Sequence, residues 1–428
     1  MNIMLITTTL ICIFFAYKKY KDWYNPYIIF NTLWLTISIL LHIGNKLVDK
    51  PNLAAYMCIC TGVIFFNLSM VLPKFIWINK KQTFNVKKYE YKINTRRLLL
   101  LSYILLIISF FLVHNSIRLL INGKTFVDVI NAYFTINENS YLLIYYISSY
   151  IIRPLKYVLI VFALVLLFNR EENRWKIIIN TLIIVILQTI SDGGRTILVS
   201  IIFMFMCTSA IFSYNKKRSF KFKFLILFLS ILFGYGILFL TNNRISFYAR
   251  EMTLIQKIYN TIYLYFVGSI TYIGKVIETN PDIIGSTKGV NFFAGIIAPF
   301  VAFLTFLDII SYPKILSIIG TYACAELRIG RVWFNALPTI FGYFYIDGGL
   351  FLTAIESIIF GYICKRFYIN TKNNNLYYIL LYILIFLQIC LSSCRWLFYS
   401  PDYMFAFFYM IFFLKRVKNV YNKSKMRY

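Results

Sequence analysis

Two glycines and an arginine lie between two apolar segments, in the sequence Ser191-Asp192-Gly193-Gly194-Arg195-Thr196. Paired glycines permit a tight turn that presents backbone N–H groups, and the apolar segment starting at Thr196 would begin a helix whose N-terminus favours negative charge. The planar guanidinium of Arg195 fits phosphate oxygens. The motif therefore indicates an anion-binding site. A plain interhelical turn, with Arg195 reaching lipid headgroups, is an equal alternative.

Further arginines with polar or aromatic neighbours occur near other apolar segments. Arg244 and Arg250 are six residues apart, with two Asn before the pair and Ser and Tyr donors inside it, which suits sugar and phosphate recognition. Arg328 and Arg331 would share one face if their segment is helical, and a Trp-Phe pair follows them. Arg395 is the last cation of this set. The alternatives are a solvated loop for the first pair and a membrane-interface anchor for the aromatic residues.

Three carboxylates and one further arginine complete the candidate site. Asp192, Glu326 and Asp347 are the candidate general bases. Asp347 precedes Gly348-Gly349, so it is also suited to cap a helix or a turn, and capping is the favoured interpretation. Arg153 stands beside a proline within an apolar segment, where an ionisable residue indicates a functional site that faces a polar cavity.

Long apolar segments must position these residues. The chain of 428 residues is 60% hydrophobic with a mean hydropathy of +0.70, which is more apolar material than a soluble core absorbs. Because the segments are continuously apolar, they do not fit an outer-membrane barrel. The sequence predicts an all-α, polytopic integral membrane protein with about 11 to 13 transmembrane helices and a large external loop region. The predicted spans are 3–17, 26–43, 53–78, 98–114, 141–168, 177–190, 196–213, 224–240, 345–364, 376–393 and 399–414. Two weaker candidates lie at 258–277 and 291–310, and either both or neither must cross the membrane if the basic loops are to share one side.

Basic clusters between these segments set the predicted orientation. Loops rich in Lys and Arg face the cytoplasm, so the amino terminus is expected outside and the tail inside. The net charge of +28 is then explained by loops at an anionic membrane surface, without nucleic acid as a partner. Arginines outside these clusters would lie on the opposite side, where they are available to hold an anion. The clusters are 18–21, 80–97, 170–176, 216–223, 365–372 and 415–427.

The chain is predicted to form a single transmembrane domain over 1–428. Within it, region 241–345 is semi-polar and contains four prolines, so it is predicted to be an external or re-entrant working-loop region. Stretch 115–140 is expected to be a short external segment or lid. The sequence has no Walker A motif, nucleophile elbow or zinc-protease helix, and its eight Cys and two His lack metal-ligand spacing. We therefore expect no metal and no cofactor.

Two of these motifs resemble a known family. The segment–GGR–segment unit at 191–196 is similar to one in the oligosaccharide repeat-unit polymerases, the Wzy-type O-antigen and capsule polymerases of bacteria. So is the unit from 328–335 through Tyr343-Phe344-Tyr345-Ile346-Asp347-Gly348-Gly349 into a hydrophobic helix. By architecture the resemblance covers about residues 90–415, and by sequence it covers only these two motifs.

The resemblance implies a glycosyltransferase in the bacterial inner membrane. Its substrate would be a polyprenyl-pyrophosphate-linked oligosaccharide at the outer face, and its product O-antigen, capsule or exopolysaccharide. The outward arginines and Arg153 would bind pyrophosphate without a metal. A flippase, a chain-length regulator and membrane lipids are the implied partners.

Two other functions fit the same features. A transporter or flippase of lipid-linked oligosaccharides would also need a cationic cavity, although no two related halves are seen in the sequence. A related ligase-type glycan transferase is the other alternative. The two histidines, His42 and His114, lie early in the chain, which disfavours a ligase.

Overall fold

Most of the described chain is helical. The computed structural model describes residues 2–72, 89–124, 147–192, 196–213, 253–318, 326–334, 338–373 and 375–418. The helices are α1 (Asn2–Tyr20), α2 (Pro26–Ile43), α3 (Leu53–Leu68), α4 (Thr95–Ile121), α5 (Arg153–Leu166), α6 (Arg174–Asp192), α7 (Thr196–Ser213), α8 (Leu254–Tyr263), α9 (Ser269–Thr279), α10 (Val290–Phe306), α11 (Lys314–Ile318), α12 (Ile340–Thr371), α13 (Leu376–Cys390) and α14 (Pro401–Tyr409).

Shorter elements complete the fold. A π-helical turn at Ser148–Ile152 leads into α5, and another at Leu264–Gly268 joins α8 to α9. Short 3-10 turns span Pro281–Ile283, Leu397–Tyr399 and Met410–Phe413. Four strands, which the sequence did not predict, form two antiparallel pairs: β1 (Tyr89–Ile93) with β4 (Leu414–Lys418), and β2 (Leu327–Ile329) with β3 (Val332–Phe334).

Six helical segments of the described chain are long and apolar enough to cross a membrane. They are Asn2–Tyr20, Pro26–Ile43, Thr95–Ile121, Ser148–Leu166, Arg174–Ser191 and Ile340–Thr371, and five apolar helices are shorter. These helices support a helical membrane protein, as the sequence predicted. The two weaker predicted spans correspond to α8–α9 and α10, so region 241–345 is partly helical. The total number of spans stays a prediction, since segment 224–240 is outside the described residues.

Aromatic side chains fill the contact between α12 and the amino-terminal helices. Phe30 of α2 stacks on Phe66 of α3 with ring centroids 3.8 Å apart, and Trp34 lies 5.1 Å from Phe341 of α12. Gly62 of α3 lies under the Phe341 ring, where a Cβ would collide with it. This close approach explains why a residue without a side chain occupies position 62.

Several basic segments meet at one end of the helices. Lys365 of α12 donates to the carbonyls of Ser69, Met70 and Leu72, which follow α3, and Lys19 also donates to Met70. These bonds satisfy carbonyl groups of the non-helical segment that follows α3. The pair β1–β4 lies at the same end, because the rings of Tyr91 and Tyr377, at the start of α13, are 5.9 Å apart. The basic segments described here therefore share one end of the helices, and the membrane side that this end faces stays a prediction.

Helices α4 and α6 run side by side in the same direction. Near their starts, the Asn180 amide donates to Ser102 Oγ at 2.9 Å. Near their ends, Ser116 Oγ donates to the Ser191 carbonyl at 3.2 Å. The end of α6, where the Gly-Gly-Arg motif begins, is therefore fixed against the last turns of α4.

Candidate functional site

A small cavity with two cationic side chains lies between α4, the start of α5 and the end of α6. Its volume is about 20 Å³, enough for a single water molecule. The side chains that line it are Ser109, Leu112, Ser148, Ile152, Arg153, Lys156, Leu187, Gln188 and Ser191. We call this the cationic cavity.

The charges of the cationic cavity come from one helical turn of α5. Arg153 and Lys156 are three residues apart and so lie on one face of the helix. Arg153 is half-buried, and Lys156 is only 6% exposed. None of the lining residues is acidic. Because charge interactions strengthen away from water, a cavity lined by two basic side chains and no carboxylate is suited to an anion.

The Gly-Gly-Arg motif begins where the cationic cavity ends. Ser191 lines the cavity and is followed directly by Asp192, the last residue of α6. The side chain of Asp192 and residues 193–195, including Arg195, are outside the described part of the chain. The structure therefore brings Arg153 to the start of the motif, which the sequence had treated as a separate feature.

Asp347 is fully buried and caps the amino terminus of α10. Its carboxylate accepts hydrogen bonds from the backbone N–H groups of Asn291 and Phe292, both at 3.0 Å, and from the Thr287 hydroxyl at 2.5 Å. Gly289, the residue in the N-cap position, has no side chain to do this. Asp347 thus supplies from α12 the acceptor that α10 lacks, and its carboxylate also favours the positive end of the helix dipole.

The helix α12 is broken directly after Asp347. Gly348 and Gly349 have non-helical backbone angles, with φ −173° and ψ 42° at the first and φ +59° and ψ −151° at the second. The angles of Gly349 belong to a region that only glycine occupies readily. The glycine pair therefore divides α12 and turns Asp347 towards α10.

An exposed β-hairpin, formed by β2 and β3, contains Arg328 and Arg331 and follows directly after Glu326. The two arginines therefore do not share one face of a helix, as a helical segment would have required. Glu326 precedes β2, Arg328 lies on β2, and Arg331 occupies the two-residue turn. All three are exposed, and Arg328 Nε donates to Gly330 O at 3.0 Å. A turn this short needs a residue with positive φ, which Gly330 provides at +72°.

The aromatic pair of the hairpin has two different environments. Trp333 is 65% exposed, which leaves its ring accessible to a sugar or to the membrane interface. The Phe334 ring is buried and packs against the ring of Tyr272 on α9, with the two ring centroids 5.7 Å apart. Phe334 therefore anchors the hairpin and does not offer a stacking surface.

Arg395 is half-buried between α13 and the Leu397–Tyr399 turn, with its carbonyl accepting from Gln388. Arg244 and Arg250 are outside the described residues. The predicted cations that the structure describes therefore lie at three places: the cationic cavity, the hairpin, and the end of α13.

The chain has no match among models of protein families, curated proteins or solved structures. Its function has to be argued from its own residues.

Four residues of these sites were absent from the sequence-based candidates. Lys156, Thr287 and Asn291 were not singled out, and neither was Glu356, a buried residue of α12. Glu356 had a usable signal, because it lies inside the predicted span 345–364, where a carboxylate is costly unless it has a role. Thr287 and Asn291 had none, since Ser, Thr and Asn occur widely in the chain.

Proposed function

We propose that the protein polymerises polyprenyl-pyrophosphate-linked oligosaccharides at the outer face of a bacterial cytoplasmic membrane. The observation that carries this proposal is the cationic cavity, in which Arg153 and Lys156 adjoin the start of the Gly-Gly-Arg motif. A pyrophosphate leaving group needs this kind of stabilisation, because negative charge develops on its oxygen as the bond to the sugar breaks. The resemblance described above supplies the substrate class.

The proposed reaction is a glycosyl transfer. An acceptor hydroxyl oxygen on the incoming unit bonds to the anomeric carbon of the growing chain as the bond from that carbon to the pyrophosphate oxygen breaks. The hydroxyl proton passes to a carboxylate, for which Asp192, Glu326 and Asp347 remain the candidates. Asp347 is less accessible than Glu326, since it is fully buried and already accepts three hydrogen bonds.

The size of the cationic cavity limits how pyrophosphate can bind. Space for about one water molecule does not admit a diphosphate, so the ligand would meet Arg153 at the mouth of the cavity or after the helices separate. Arg153 is more exposed than Lys156 and would make the direct contact. Lys156 would then contribute its charge from behind.

A transporter of lipid-linked oligosaccharides is the second candidate, and one observation favours it. Discontinuous helices with a helix terminus inside the protein are common in transporters, and α12 breaks where α10 begins. In this chain, however, the terminus is occupied by Asp347. Both functions could use the cation pair, and the resemblance described above favours the transferase, which we therefore place first.

An assay with purified protein separates the two functions. We expect protein in liposomes to convert lipid-linked repeat units into a ladder of longer oligosaccharides, with release of polyprenyl pyrophosphate, in the presence of EDTA. The chelator should have no effect because Arg153 and Lys156 would supply the positive charge that a metal ion provides in other enzymes. Movement of unextended substrate across the bilayer without a ladder would instead identify a transporter. A ladder that EDTA abolishes and magnesium restores would contradict the metal-free mechanism.

The orientation is tested by single cysteines in intact cells. Trp333→Cys on the hairpin should react with a membrane-impermeant thiol reagent, whereas Lys92→Cys on β1 should react only after the membrane is opened, because basic loops face the cytoplasm. The native cysteines are replaced by Ser in the parent protein, whose own labelling is the control. Reaction at position 92 but not at 333 would reverse the orientation and exclude an external cationic cavity.

A further inference from the structure

A second polar cluster lies around the break in α12 and contains two carboxyl groups. Glu356 is 4% exposed, and its Oε1 lies 3.9 Å from the position that a Cβ on Gly289 would take, at the helix terminus that Asp347 caps. The two carboxyl groups are therefore neighbours in one buried site. Thr287 and Asn291, both buried, complete the cluster. The cluster does not include any residue of the cationic cavity.

The break in α12 is what allows the two carboxyl groups to meet. In an unbroken α-helix, residues nine positions apart are separated by about 13.5 Å along the axis and point in opposite directions. The backbone angles at Gly348 and Gly349 remove that separation. Contact between Asp347 and Glu356 therefore exists only while the helix keeps this broken conformation.

The negative charge of Asp347 is compensated, and that of Glu356 would not be. Asp347 receives three hydrogen bonds and faces the positive end of α10. Helices α1 and α9 touch α12 near Tyr368 and Gly342; their charged groups are Lys18, which is exposed, and Lys19, Lys275 and Glu278, which are bonded elsewhere. The helices with the most extensive contacts to α12 are α2, α3, α10 and α13, and these carry no Asp, Glu, Lys or Arg. Their titratable groups are Tyr and Cys side chains and the exposed His42, while Lys288 on the loop before α10 is exposed.

Two buried oxygens of the cluster have no hydrogen-bond partner. They are Oε2 of Glu356 and Oδ1 of Asn291. The orientation of the Asn291 amide follows from the network: the Thr287 hydroxyl gives its hydrogen to Asp347, so it can only accept from Asn291 Nδ2, at 2.7 Å. An excess of acceptors beside two carboxyl groups indicates that a hydrogen is needed among them, because two carboxyl groups form a hydrogen bond only when one holds a proton.

We propose that the Asp347–Glu356 pair binds a single proton, carried by Glu356, and that this proton holds α12 in its broken conformation. With the proton bound, Glu356 donates to an oxygen of the cluster and the site is neutralised. When the proton is lost, two negative charges share one buried site and repel each other, which favours separation of the two halves of α12. The proposal is independent of whether the protein polymerises or transports its substrate.

Infrared spectroscopy of the purified protein tests the proton directly. We expect wild-type protein at neutral pH to show the C=O stretching band of a protonated carboxyl group that shifts in D₂O, and Glu356→Gln to lack it. Glu278→Gln is the matched control, because Glu278 is exposed and pairs with Lys275, and it should keep the band. If Glu356→Gln does not fold, wild-type protein made with ¹³C-labelled glutamate replaces it, and the band should move to lower frequency.

Thermal unfolding tests the effect on conformation. The midpoint of wild-type protein should fall by at least about 2 °C as the pH rises through the range in which the band disappears, whereas Glu356→Gln should stay level over that range. The absence of a protonated band at every pH at which the protein is folded would overturn the proposal. A protonated band that neither Glu356→Gln nor labelled glutamate changes would also overturn it. A midpoint that responds to sodium at constant pH would do the same, because the carboxyl pair would then bind a metal cation in place of a proton.

Discussion

Replacing Arg153 by Lys is expected to lower the rate of polymer formation by roughly a hundredfold. Lysine keeps the charge but lacks the planar pair of donors that fits two phosphate oxygens at once. Loss of one charge-assisted contact that forms in the transition state costs about 3 kcal/mol. The measurement is the rate of ladder formation by purified Arg153→Lys against wild type, at matched amounts of folded protein.

Arg97→Lys is the matched control for this variant. Arg97 is exposed at the end of the helices where the basic segments meet. Its guanidinium donates a single hydrogen bond to the Phe412 carbonyl, which lysine can also make. It should retain the wild-type rate. If Arg153→Lys also polymerised at the wild-type rate, pyrophosphate binding at the cationic cavity would be wrong.

Removing the Asp347 carboxylate is expected to give the largest loss of stability. Asp347→Ala leaves two backbone N–H groups and one hydroxyl buried without their acceptor, and each such group costs about 1–3 kcal/mol. We expect Asp347→Ala to lose about 3 kcal/mol or more in the free energy of unfolding, measured by denaturation in detergent. Asp347→Asn should be intermediate, because its oxygen still accepts while its amide meets a backbone N–H.

Asp282→Ala is the comparison for this loss. Asp282 belongs to the same connection between α9 and α10 but is exposed, so its removal should change stability by less than about 0.5 kcal/mol. Equal stability of Asp347→Ala and Asp282→Ala would show that the cap on α10 contributes nothing.

The helices were predictable because a long apolar segment has few other stable forms in a membrane. The predicted spans 26–43 and 376–393 correspond closely to α2 and α13, and Asp347 does cap a helix, although not the segment that follows its glycine pair. What sequence did not identify is which helix receives that cap, since α10 begins more than fifty residues earlier. The catalytic role assigned to Asp347 stays a prediction beside this structural one.

The contacts between distant segments were beyond sequence reasoning. Arg153 was recognised as an ionisable residue in an apolar segment, but its position beside Ser191 depends on how α4, α5 and α6 pack. Likewise, Glu356 meets Asp347 only because a local break cancels the helical spacing between them. The hairpin β2–β3 was missed because three-residue strands leave too short a pattern to detect.

The ladder between β1 and β4 also sets an order of assembly during synthesis. Its partners, such as Ile93 and Leu414, are separated by more than about three hundred residues. At roughly 5–20 residues per second, β1 leaves the ribosome on the order of 15–65 s before its partner strand exists. Through that interval, the backbone groups of β1 must remain with water or with an insertion factor. The ladder can therefore form only after the helices between its two strands have been made, so this pairing closes around segments that already exist.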